Sequence, residues 1–276
     1  MMLDLPDYRV TGTTADGRFR AIHRDTSRKV AIEVRGPDET VAAVLAAHTL
    51  DTVAHRGIAR ILEWGVLPDK RTWIASELPE GISLADVMLR RQLAAEEIAA
   101  LLRDASDILA AVHRHNAVHG RLRPDAIVFG TGTRHAPVII GDWIGMRAPG
   151  VLADDDALDL SVYAAPELLG AFDGRADIYA LGVIAYRAFT GRFPDADVEH
   201  VPGAPAALST LLVRMLAANP ARRPTAPEVH LLAGRLLEAD RAIEARFPRA
   251  RWTPPSGVLS LRAREVVIAL DKRKHS

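Results

Sequence analysis

The sequence predicts an α+β protein of two lobes, a small β-rich N-terminal lobe carrying one helix and a larger helical lobe behind it. Three observations predict this. From Tyr8 to about Glu77 the chain is cut by Gly12, Gly17, Gly36, Gly57, Gly65 and Pro68 into strand-sized runs, such as Arg28-Lys29-Val30-Ala31-Ile32-Glu33-Val34 and Thr72-Trp73-Ile74-Ala75. One stretch of that quarter, Val41 to Val53, instead repeats Val41, Val44, Leu45 and His48 at helical spacing. Beyond Pro79-Glu80-Gly81 the apolar residues keep a helical period almost throughout.

The elements of the second lobe follow in order. Ala95 to His115 carries Ile98, Leu101, Leu102, Ala105, Ile108, Leu109 and Val112 on one face, the pattern of a helix laid against a core. Asp177 to Phe189 is apolar nearly all round, which predicts a helix buried on every side, the pillar of the lobe. After about Asp240 the composition shifts, with nine Lys and Arg against three acids, a net +6. Trp252-Thr253-Pro254-Pro255-Ser256-Gly257 interrupts any helix there, and Leu259 to Leu270 can resume one. The predicted organisation is residues 1–79, 80–240 and a basic tail over 241–276.

Composition excludes several classes of function. The 276 residues carry 35 basic and 35 acidic groups and are 49% apolar, which rules out disorder throughout and, by length, three domains. Without a cysteine the chain can hold no disulfide, iron–sulfur cluster or thiolate zinc site and cannot perform thiol catalysis. The longest strongly apolar uncharged run, Ile178 to Tyr186, is too short for a membrane span. Acidic residues stand near the N-terminus where a secretory signal needs basic ones, so the expected location is cytoplasmic. His113, His115 and His119 do not predict a metal site, because the first two cannot share one helix face. The balanced overall charge and the scattered arginines of the tail argue against specific nucleic-acid binding.

The run His119-Gly120-Arg121-Leu122-Arg123-Pro124-Asp125-Ala126-Ile127-Val128-Phe129 resembles the catalytic loop of protein kinases, H-R-D-L-x-x-x-N before an apolar strand. Order along the chain strengthens the likeness. Val30-Ala31-Ile32 lies upstream, Asp142-Trp143 stands where D-F-G belongs, and Ala165-Pro166-Glu167 where A-P-E belongs. Asp177 to Val183 resembles the buried helix of the kinase large lobe, and Asn219-Pro220-Ala221-Arg222-Arg223-Pro224-Thr225 is similar to the N-P-x-x-R-P-T segment of bacterial eukaryotic-like Ser/Thr kinases. The likeness covers roughly residues 8 to 238 and implies the two-lobed kinase fold.

The same likeness implies which parts of phosphoryl transfer are missing. Glu33 stands at the phosphate-binding lysine, Ala46 near its glutamate partner, Arg121 at the catalytic aspartate and Ala126 at the second metal-binding asparagine. A guanidinium cannot accept a hydroxyl proton at neutral pH, so no general base is expected. Asp142 is the one metal ligand candidate, followed by Trp143 and Ile144 in place of Phe and Gly. The glycine loop is reduced to Gly12 and Gly17, with Asp16 between them, and a residual nucleotide site would use Gly12, Gly17, Ala31 and Glu77. His119, Asp177, Glu167 and Arg223 match structural residues of the family, with Glu167 facing Arg223 and Asp177 holding the catalytic-loop backbone.

The expected function is therefore that of a pseudokinase, a protein-binding or regulatory module with no cofactor. Its expected partner is another protein, such as a true kinase or a phosphothreonine-reading domain acting on Thr225 or Thr253, or a second copy of the chain. The alternative is an atypical kinase or other phosphoryl- or nucleotidyl-transferase that uses ATP and magnesium with displaced cations, for which Arg18, Arg20 and Lys29 are the candidates. The acids Asp154, Asp155, Asp156 and Asp159 read as a solvated loop face, with Arg121 and Arg123 as their nearest cationic partners.

Overall fold

The structure, a computed structural model, describes residues 5–14, 17–36, 40–131, 136–143, 146, 162–169 and 173–246. Two sequence expectations lie outside them, the tail beyond residue 246 and the acidic segment over 147–161; so do Asp16 and Ile144.

The strand-sized runs of the first quarter form one antiparallel sheet. β1 (Tyr8–Thr13), β2 (Phe19–His23), β3 (Lys29–Arg35), β4 (Ile61–Val66) and β5 (Thr72–Glu77) pair in the order β1-β2-β3-β5-β4. The turns close tightly, Ser27 and Lys70 taking left-handed φ values of 56° and 69°. Side chains alternate across the pleat, so the sheet has two apolar faces. Val30, Ile32 and Ala75 point to one, where Leu5, Tyr8 and Ala21 cover them. Ile61 and Ile74 point to the other, against Ala46 and Leu50 of α1 (Thr40–Thr52).

That second face does not end at the lobe boundary. Ala46, Leu50, Val53, Ile58 and Ile74 belong to the same packed cluster as Leu102, Ile108, Leu109 and Ile140 of the larger lobe. Gly57 makes the approach close, since a Cβ there would lie 2.5 Å from the Ile108 side chain. The sheet-and-helix unit is thus joined to the helical lobe by core as well as by the connection through Leu78-Pro79-Glu80.

The larger lobe contains α2 (Leu84–Met88), α3 (Ala95–His113), α4 (Arg175–Thr190), α5 (Ala206–Met215) and α6 (Ala226–Arg246). α3 packs along α6 and against α4, burying Ile98, Leu101, Leu102, Ala105, Ile108, Leu109 and Val112. It ends two residues short of His115, because the chain turns through Asn116 at φ 58°. α4 is buried on all sides from Ala176 to Ala188 except at Tyr179 and Arg187, and stops at Gly191, whose left-handed φ of 76° closes the helix. Thr225 precedes α6 and is tied to its first turn: its N–H and its hydroxyl both donate to the Glu228 carboxylate, at 2.7 and 2.8 Å.

The larger lobe also holds a three-stranded antiparallel sheet, β6 (Gly81–Ser83), β7 (Ile127–Gly130) and β8 (Val138–Ile140), in that order. Sequence periodicity does not predict it, since strands of three and four residues carry too few alternations to register. No helix among the described residues is long and apolar enough to cross a membrane.

Candidate functional site

Strand β3 delivers the first residue to the space between the lobes. With Val30 and Ile32 turned into the outer core, Ala31, Glu33 and Arg35 share the opposite face. Glu33 is paired with the Arg35 guanidinium, both side chains less than a fifth exposed, and its second oxygen is buried without a hydrogen-bond partner. Burial pushes the Glu33 carboxyl up. Arg35 opposes that rise, the neighbouring Asp142 charge adds to it, and Arg18 and Arg121 oppose it more weakly; the net shift is upward.

From the larger lobe come the loop over 119–126 and the short segment after β8. Asp177, at the start of α4, holds the loop: its carboxylate accepts the N–H groups of His119 at 2.9 Å and Gly120 at 2.8 Å, and His113 Nε2 lies 2.8 Å away. Burial pushes this carboxyl up, yet the His113 hydrogen bond and charge, His119 and the Gly120 N–H outweigh it and hold the group below the ordinary carboxylate range. His119 is fully buried. Its Nε2 lies 2.9 Å from the Gly141 carbonyl, which can only accept, so that nitrogen carries the proton and Nδ1 faces the Arg121 N–H.

Asp142 follows Gly141 with a left-handed φ of 60° and a largely buried side chain. Its carboxylate accepts Arg123 Nη2 at 3.0 Å; the same guanidinium lies 3.4 Å from Asp125. Trp143 fills the space beneath, 1% exposed, its ring 4.6 Å from that of His119 and its Nε1–H donating to the Ile140 carbonyl at 2.8 Å. Ala126 is buried, and its methyl offers no oxygen to a cation.

The residues considered for a nucleotide are distributed over the small lobe. Gly12 lies on β1 opposite Arg20, beside a bulge, and Gly17 takes φ 85° in the turn closed by Thr14 and Arg18. Ala31 is buried opposite Ser76 of β5, whose hydroxyl donates to its carbonyl at 3.3 Å. Glu77 turns its carboxylate to the Arg60 N–H at 2.9 Å. Two residues on, Pro79 has no N–H to offer a base edge.

The structure thus brings Glu33, Arg121 and Asp142 into one electrostatic neighbourhood, together with Arg18. It separates the other two displaced-cation candidates from it. Lys29 lies on the same face of β3 as Ala31 and Glu33 but at the strand's exposed start, where it is turned outward to Glu80 at 3.4 Å, each side chain 63% exposed; Arg20 is exposed on β2. Sequence reasoning missed Arg35, the ion-pair partner of Glu33; its spacing two residues along the same strand face was the available signal. It also missed His113 as a ligand of Asp177 and Arg123 as the partner of Asp142, contacts between segments 64 and 19 residues apart. Among the described residues no group of three or more His, Asp or Glu side chains could hold a metal ion.

A protein kinase domain model matches residues 11–231. The chain belongs to the protein kinase family. Similar proteins include serine/threonine-protein kinase pkn2 of Myxococcus xanthus, 28% identical over 84% of this chain, and PknJ of Mycobacterium tuberculosis, 26% identical over 86%. Pkn1 of Myxococcus xanthus is 31% identical over 64% of the chain. The alignments cover 34%, 45% and 29% of those proteins, so the chain spans less than half the length of each of these three relatives.

The large lobe is held by a hydrogen-bonded frame, and charged side chains meet in the space between the lobes. Asp177 anchors the loop and Arg223 grips Glu167 at 2.5 and 2.9 Å. Four guanidinium groups, Arg18, Arg35, Arg121 and Arg123, surround the carboxylates of Glu33 and Asp142. A kinase domain so furnished holds carboxylates and guanidinium groups against one another between its lobes, with no side chain at Arg121 able to accept a proton.

Proposed function

We propose that this kinase-family chain is a catalytically inactive member, a pseudokinase, serving as a protein-binding or regulatory module in cytoplasmic signalling. One observation carries the proposal: Arg121 occupies the loop position where a base is required, beside a Glu33 carboxylate already paired with Arg35. Phosphoryl transfer is positioning and charge neutralisation around a triphosphate, with a group to receive the hydroxyl proton. Here the side chain from β3 is an acid, the loop side chain is a permanent cation, Ala126 supplies no oxygen, and Asp142 is engaged by Arg123. The function is then carried by surfaces, with another protein as partner, an active kinase or a phosphothreonine-reading domain among the candidates, or a second copy of this chain. No cofactor is required.

Thermal denaturation with and without millimolar ATP and magnesium tests the proposal, since a ligand of the native state raises the melting temperature by linkage. The expected result is no shift. A shift that disappears in Asp142→Ala overturns it.

That outcome would favour the second reading, an atypical ATP-dependent transferase. Its specific support is the upward shift of Glu33: once protonated, this group no longer neutralises Arg35, Arg18 and Arg121, which would be left to face phosphates. Transfer of labelled phosphate from ATP to a general protein substrate separates nucleotide binding from turnover.

A further inference from the structure

A pocket of 460 Å³ opens beside the connection between the lobes. One wall is the turn into β3, Ser27 to Lys29, a second is the connection itself, Glu77 to Glu80, and Ile139 of β8 closes the third side. None of Glu33, Arg121 and Asp142 lines it. Backbone hydrogen bonds fix the walls to one another: the Leu78 N–H donates to the Lys29 carbonyl at 3.3 Å and the Thr131 N–H to the Glu80 carbonyl at 3.1 Å. The turn is braced as well, since the N–H groups of Asp25 and Thr26 both donate to His23 Nδ1, at 3.2 and 3.3 Å. The pocket is therefore preformed, as small-molecule sites usually are, and its volume falls within their usual span of about 300–1,000 Å³.

Four charged side chains line it, and three are engaged. Lys29 lies 3.4 Å from Glu80 at the mouth, and the Glu77 carboxylate accepts the Arg60 N–H at 2.9 Å. Arg28 is different. Its guanidinium has no hydrogen-bond or ion-pair partner among the described residues, and neither has the hydroxyl of Ser27 beside it. A guanidinium recognises a carboxylate through two parallel hydrogen bonds, and a hydroxyl can donate a third.

The rest of the lining is apolar. Leu62, Leu78 and Pro79 are half-buried around the opening, and Ile139 is buried beneath them. Leu62 reaches this position through an irregularity in β4: Ile61 stands opposite Ser76 and Glu63 opposite Ala75, so Leu62 is the extra residue between them. Such a bulge re-aims its side chain. The connection offers a polar ligand little, because Pro79 has no N–H and that of Leu78 is already taken by Lys29. One end of the pocket thus suits an anion and the remainder a hydrocarbon.

We propose that this pocket binds a small carboxylic acid with an apolar body, an aliphatic or arylalkyl acid, its carboxylate on Arg28 and Ser27 and its hydrocarbon against Leu62, Leu78 and Ile139. The inference goes beyond the pseudokinase reading and holds whether or not the chain transfers phosphate. Charge complementarity selects the ligand. An ammonium compound would leave Arg28 unmatched and meet Lys29, and a doubly charged headgroup would bring its second charge against Glu77 and Glu80, so a single carboxylate is the better match. A bound acid touches the small lobe, the connection and the larger lobe at once, so its binding favours the relative placement of the lobes seen here.

The test is thermal denaturation of the full chain, without nucleotide, titrated with 4-phenylbutyrate. A melting temperature that rises and saturates is expected, by linkage to a ligand of the native state. The uncharged 4-phenylbutan-1-ol should bind about tenfold more weakly, as should 4-phenylbutyrate itself to Arg28→Gln, because each change removes the charge-assisted pair. 4-Phenylbutylamine should not bind. Arg28 is exposed and unpartnered, so its substitution leaves the ligand-free melting temperature unchanged; Leu78→Asp, which sets a second carboxylate against the hydrocarbon, should weaken binding by a similar factor. Absence of a saturable rise, equal binding of the alcohol and the acid, or unchanged binding by Arg28→Gln would each overturn the proposal. Failure here leaves the pseudokinase reading standing, since the ATP–magnesium titration tests that separately.

Discussion

Arg223 lies bidentate on Glu167, Nη1 to Oε1 at 2.5 Å and Nη2 to Oε2 at 2.9 Å, while its other contacts run to the carbonyls of Ala217, Ala218 and Arg175. Its side chain is fully buried, and Tyr179 covers its guanidinium at 4.7 Å. Arg223→Ala therefore orphans three carbonyls and a carboxylate at once and should destabilise the chain by about 3–5 kcal/mol in chemical denaturation. Arg223→Lys, which keeps the charge but not the fork, should recover only part of that loss.

Asp177 gives the acid limb of stability. Its folded-state carboxyl titrates below the unfolded one, so its stabilisation is complete above the unfolded value and is lost as pH falls through the folded value. Asp177→Asn should destabilise the chain at neutral pH, because it removes the charge that the His113 ring and the His119 and Gly120 N–H groups face. Urea midpoints measured at several pH values should show the gap between parent and variant closing in acid; a constant gap would detach the loop anchor from this carboxylate.

Glu33 has the opposite sign. Its carboxyl is raised in the folded state, so the ionised form is disfavoured there and stability declines as pH rises through the unfolded and then the folded value. Relative to the parent, Glu33→Gln should be more favourable at neutral pH than in acid, where both side chains are neutral. Glu33→Lys should destabilise, because it places a cation beside Arg35, Arg18 and Arg121, and should confer no phosphotransferase activity while Arg121 remains.

Asp142 combines an ion pair with a left-handed backbone. Replacing it separates the two. Asp142→Ala and Asp142→Gly both lose the Arg123 contact, but only alanine retains the steric cost of φ 60°, so the glycine variant should be more stable than the alanine one by roughly 1 kcal/mol. Equal melting temperatures would show that the segment relaxes out of the left-handed region once the carboxylate is gone.

Local periodicity made the long elements legible. Ile98 through Val112 repeats its apolar residues at helical spacing, Ile178 through Tyr186 is marked by an unbroken apolar run, and the glycines that cut the first quarter into strands are as local as the turns they form. The sheet of β6, β7 and β8 was not legible, because three or four residues per strand hold no period and its pairing joins Ser83 to Val128. The cleft divides in the same way. Glu33, Arg121, Ala126 and Asp142 stand out by position within motifs, whereas the contacts of Arg123 with Asp142 and His113 with Asp177 depend on how distant segments meet.

The apolar cluster that runs from Ala46 and Leu50 through Ile58 into Ile108 and Leu109 has a consequence for how the molecule opens. A subglobal opening that moved the two lobes apart would have to expose this shared interior, so amide protons of α1's inner face and of α3 should exchange with solvent together, near the global limit. The outer layer of Leu5, Tyr8, Ala21, Val30 and Ile32 belongs to a separate and much smaller cluster. β1 and β2 can therefore peel away first and exchange ahead of the rest, so the boundary between early and late exchange runs through the five-stranded sheet and not along the junction of the lobes.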